Sequence, residues 1–132
     1  MSQQTHIQEF EMDFDQYLEN LHSDLATWSA AFNGPLNNRI FRCFDALNRL
    51  HQKIVFITRR RDLLERSSVI PQDIKVELLS EYENLLDLMH PMRIWFENLR
   101  EECQDYQEAL RDGDEETIRF IEALWAEELP QF

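Results

Sequence analysis

Phe14, Leu18, Leu21, Leu25, Trp28 and Phe32 recur at alternating spacings of four and three with polar residues between them, which marks one apolar face of a helix. Thr5 and Gln8 have the spacing of a capping box ahead of this stripe, so the first helix is expected from about 6 to 32. Asn33-Gly34-Pro35 then supplies a glycine suited to a helix C-terminus and a proline suited to a first helical position. The second helix follows at once, with Leu36, Ile40, Cys43, Leu47, Leu50, Ile54, Ile57 and Leu64 as its stripe. Phe41, Phe44, Val55 and Phe56 widen that apolar surface past half of the circumference, which predicts a helix that is central or touches a partner. Ser67-Ser68 and Pro71 end it, and Gln72 and Asp73 open the next, the aspartate favoured by the helix dipole.

The third stripe decides the fold. Leu78, Tyr82, Leu85, Met89, Met92, Phe96, Leu99, Cys103, Tyr106 and Leu110 keep the four-three spacing straight through Pro91 without a change of phase. A chain reversal has no reason to preserve phase. Residues 71 to 112 are therefore expected as one helix of about 60 Å, bent where Pro91 offers no N–H to the Asp87 carbonyl. Two helices meeting at His90 are the alternative, because the residue before a proline resists the α conformation. Gly113 stops this helix, and Asp114 caps a fourth whose face is Ile118, Ile121, Leu124 and Trp125 and which ends near Leu129-Pro130.

Short connections make neighbouring helices antiparallel. The expected architecture is an all-α, antiparallel bundle of three long helices, the third bent at Pro91. A short C-terminal helix returns to form a terminal αα-hairpin over residues 97 to 128, all within a single domain of residues 1–132. Leu88, Met92, Trp95 and Leu99 make a second stripe on the third helix, with Ile94 beside it. The fourth helix is expected to cover it through Phe120, Ile121 and Trp125; otherwise the stripe is a docking surface.

Composition adds constraints on function. The chain has 132 residues, 43% of them apolar and 30% charged, with a net charge of -13, so it can bury a core of its own. No basic segment followed by an apolar one opens it, and no apolar run approaches the roughly 18 residues of a membrane span. An intracellular, soluble protein of cytoplasm or nucleus is expected, without membrane contact. The charge is segmented: residues 1 to 34 carry -6, residues 35 to 66 carry +5, and residues 67 to 132 carry -12. From Glu97 to Glu128 the balance is -9. Direct binding to nucleic acid is disfavoured, and a protein with a basic or mixed basic and apolar surface is the natural partner. Arg59-Arg60-Arg61 lies near a helix C-terminus and fans around it, which suits a structural role.

The candidate chemistry is sparse. Glu19 with His22 and Asp87 with His90 have the Glu-x-x-His type of spacing used in carboxylate-bridged metal bundles, and His51 falls at a similar level. Glu19, however, faces away from the apolar stripe. Two glycines cannot build a phosphate-binding loop. Cys43 and Cys103 fall in apolar stripes and are expected as buried thiols, their levels about 13 Å apart and so unsuited to a bridge. The carboxylates lie on solvated faces, where nothing separates their pKa values.

These observations point to a non-enzymatic interaction protein with no cofactor: a complex subunit, adaptor or inhibitor. Its candidate partner-binding residues are Leu88, Met92, Ile94, Trp95, Phe120 and Trp125, with Glu101, Asp105 and Glu108 on the acidic hairpin. Two alternatives stand beside it: an acidic inhibitor that mimics nucleic acid and blocks a DNA- or RNA-binding enzyme, and a metal-binding bundle of histidine and carboxylate. A homodimer is a further possibility.

Overall fold

The computed structural model describes residues 3–30 and 36–127, and every regular element among them is an α-helix. The order is α1 (Gln3–Gln8), α2 (Phe14–Ala30), α3 (Leu36–Arg66), α4 (Gln72–Asp112) and α5 (Glu115–Glu127). The chain is an all-α bundle. Its main pair is α3 against α4, antiparallel as the short connection requires. The Cys43 thiol donates to the Phe96 carbonyl at 3.6 Å, Arg60 Nε donates to Tyr82 Oη at 3.4 Å, and Arg61 meets Glu83 at 3.6 Å.

α4 runs unbroken through Pro91 for 41 residues. A proline inside a helix costs about 3 kcal/mol, and burial on both sides of it offsets that cost. Met89 and Met92 are fully enclosed, each contributing about 1.5 to 3 kcal/mol, while Pro91 itself faces solvent. The preserved phase of the stripe thus reports continuous packing as far as Cys103, beyond which Ala109 is buried and Leu110 is exposed. Leu78, Tyr82, Leu85, Phe96, Leu99 and Cys103 are buried along the same seam.

α2 closes the core from the other side. Leu21, Leu25 and Trp28 are buried; Trp28 meets Phe96 edge to face at 5.6 Å, and Phe14 meets Tyr82 at 5.3 Å. No charged side chain is buried among the described residues.

The single first helix expected from 6 to 32 is two. α1 stops at Gln8, and a turn carries the chain to Asp13, where the Phe10 and Glu11 N–H groups donate to the Ile7 carbonyl at 3.0 and 3.2 Å. Distant side chains take the carbonyls that would otherwise continue the helix: Tyr82 Oη donates to the Phe10 carbonyl, and Arg60 donates to the Glu9 carbonyl. Asp13 then starts α2 as its N-cap, with the Gln16 N–H on Asp13 Oδ1 at 3.0 Å. Thr5, read as the cap, lies inside α1. The expected end at Phe32, the Asn33-Gly34-Pro35 stop and the Leu129-Pro130 end lie outside the described residues.

The second stripe of the long helix is covered in part. Met92 and Leu99 are buried, Leu88 and Trp95 pack against the same core, and Ile94 remains exposed. Of the three α5 residues expected over this stripe, Ile121 is buried and Trp125 packs against the core that includes Leu99, whereas Phe120 is exposed. Among the described residues, no helix is long and apolar enough to cross a membrane.

Candidate functional site

The hairpin of α4 and α5 is built by one turn. Gly113 adopts a left-handed conformation with φ 70°, a region a side chain resists, and its N–H donates to the Ala109 carbonyl. Asp114 donates from its backbone to the same carbonyl at 2.9 Å. Its carboxylate then accepts from the Thr117 N–H at 3.2 Å and the Thr117 hydroxyl at 2.6 Å, capping α5. Those two bonds hold the Asp114 carboxyl below the usual range.

Trp125 anchors the far end of α5. Its indole N–H donates to Glu102 at 2.9 Å, its ring lies 4.9 Å from that of Tyr106, and the Arg39 guanidinium sits 4.7 Å over it. Tyr106 Oη donates to Glu122 at 2.6 Å, a bond that raises the phenol pKa. Ile121 is buried beneath.

Between these two fixed ends, α4 and α5 enclose an open groove of about 420 Å³. Ala109, Ile121 and Leu124 form its apolar lining, and Glu102, Asp105, Glu108, Asp112 and Asp114 bring carboxylates to it. Phe120 also lines it and is 65% exposed, a large ring left in water beside a ready apolar surface. Arg111 lies 3.8 Å from both Glu108 and Asp112, but these groups are exposed and the pairing is weak.

The structure therefore divides the residues singled out from the sequence. Phe120, Asp105 and Glu108 come together at the groove. Glu101 is exposed one turn before Asp105, outside the lining. Trp125 is half-buried and serves as the anchor of α5. Met92 is in the core, Leu88 and Trp95 pack against it, and Ile94 is exposed apart from the groove. Glu102 and Asp112 were not singled out, and Leu124 was read only as part of the apolar face of the last helix. The spacing of Asp105, Glu108 and Asp112 around the small Ala109 was the available signal, since a small residue between acids on one face leaves room for a hollow.

The remaining chemistry does not converge in the same way. His22 and His51 are exposed and His90 is half-buried. Among the described residues, no three His, Cys, Asp or Glu side chains gather in a way that could hold a metal ion. Cys43 and Cys103 are both buried and free, and the Cys43 thiol gives its hydrogen to the Phe96 carbonyl. The neighbouring Cys103 thiol, with burial, pushes the Cys43 pKa up. No protein-family model, curated protein or solved structure matches this chain.

Proposed function

We propose that this chain is a non-enzymatic interaction protein that binds a basic, amphipathic segment of another protein in the groove between α4 and α5. The observation that carries the reading is the pairing of a ring of carboxylates with the uncovered Phe120. An apolar side chain from the partner gains by covering Phe120 and Leu124, and lysines or arginines flanking it meet Asp105, Glu108 and Asp112. The charges contribute mainly to encounter rate and selectivity, and the apolar contact to residence time. The groove is preformed, because the Gly113 turn and the Trp125 anchor fix both ends of α5, so little ordering cost opposes binding.

A fluorescent amphipathic helix of leucine and lysine tests this directly. It should bind the wild-type chain more tightly than a scrambled peptide of the same charge, and salt should weaken it. Phe120→Glu and the double variant Asp105→Lys, Glu108→Lys should each abolish binding while retaining helical circular dichroism. Equal affinity for the scrambled peptide would reduce the groove to a diffuse negative surface and reject the proposal.

A further inference from the structure

The outer side of α3 carries a second apolar stripe. Phe41 is 64% exposed, Phe44 49%, Phe56 47% and Leu63 58%. At about 100° per residue these positions lie opposite the core stripe of Cys43, Leu50, Ile57 and Leu64. A helix of a solitary bundle needs one apolar side, and this one has two. Unlike the rest of the chain, the outer side is also basic. The Arg42 guanidinium lies 5.9 Å from the Phe41 ring centre and that of Arg60 lies 5.2 Å from that of Phe56, holding cations against exposed rings. Arg42 and Arg59 have no carboxylate partner among the described residues, and Arg59 helps line a shallow hollow of about 360 Å³ with Val55 and Phe56.

Charge selects the occupant of this face. Two α3 faces packed together would oppose one segment of +5 with another, whereas the α4–α5 hairpin of residues 97 to 127 carries -8 and presents its own exposed Phe120. The chain thus bears both halves of a complementary pair. We propose that the outer face of α3 is a self-association surface that receives the acidic α4–α5 hairpin of a second copy of this chain, Phe120 seating beside Val55 and Phe56. This rests on the reading of the hairpin groove as a site for basic, apolar surfaces, and it names the partner. A two-fold pair makes the contact twice and leaves neither surface exposed, while a head-to-tail pair leaves one uncovered at each end; the closed dimer is therefore the expected form.

Sedimentation velocity on the full chain tests the assignment. At low salt the wild-type chain should sediment at twice its 16.0 kDa and return toward that mass as salt rises. The α3 variant Arg42→Glu, Arg59→Glu and the hairpin variant Asp105→Lys, Glu108→Lys should each be monomeric with unchanged helicity. Mixed together they should restore the doubled mass, because native face then meets native hairpin and reversed face meets reversed hairpin. A wild-type chain monomeric at all salt concentrations, a variant that still dimerises, or a mixture that stays monomeric would each overturn the proposal. The leucine-lysine peptide separates the two readings: if the α3 variant binds it while the wild-type chain is monomeric, the groove stands and self-association falls, and if no chain binds it both fall.

Discussion

The indole of Trp125 donates to the carboxylate of Glu102 at 2.9 Å, and this bond sets the return path of α5 along α4. With Arg39 over the same ring at 4.7 Å, one side chain ties α5 to both α3 and α4. Trp125→Ala should cost about 1 to 2 kcal/mol, less than the roughly 3 to 5 kcal/mol of an enclosed ring, because this one is half-buried. The loss should be local. Hydrogen exchange should accelerate over residues 115 to 127 while residues 78 to 99 keep their protection; uniform acceleration would show that α5 opens only with the whole bundle.

Tyr82→Phe removes the hydroxyl that donates to the Phe10 carbonyl and leaves that carbonyl without its partner from α4. A cost of about 1 to 3 kcal/mol is expected in urea unfolding. Faster exchange across residues 7 to 13 should accompany it, since the turn between α1 and α2 depends on this bond and on the one from Arg60.

Burial pushes the Tyr17 pKa from 10.0 to about 12. A phenol whose pKa is raised on folding stabilises the protein fully below its unfolded value, and that contribution disappears as pH rises through the folded one. Stability should therefore fall between about pH 10 and 12, and Tyr17→Phe should flatten this part of the profile. Ultraviolet titration of tyrosine ionisation, compared between the two proteins, checks the assignment.

Pro91→Ala supplies the N–H that the Asp87 carbonyl lacks, at a position facing solvent. Thermal unfolding should show a gain of about 1 to 3 kcal/mol. A loss instead would mean that the seating of Met89 and Met92 requires the local geometry imposed by the proline.

Much of this arrangement was legible along the chain. The long helix could be read because apolar phase survives a proline only when the packing on both sides continues, and the hairpin because Gly113 and Asp114 are chemically suited to a stop and a start. The break at residues 9 to 13 was not legible, since the groups that end α1 are on Arg60 and Tyr82, far away in sequence. The candidate face was partly legible: Phe120, Asp105 and Glu108 were found from composition and spacing. The role of Trp125 as an anchor needed the position of Glu102.

The uninterrupted α4 gives the molecule a hierarchy of parts. Phe14 and Trp28 rest on it from one side, α3 runs against it, and α5 is tied to its end. Ending the chain after Gly113 would detach one rider and leave the core closed, whereas removing α2 would uncover the side that Leu21, Leu25 and Trp28 seal, and a cut between residues 80 and 100 would divide the support that all of them share. Tolerance to truncation should thus be greatest beyond Gly113 and vanish at the midpoint of the longest rod.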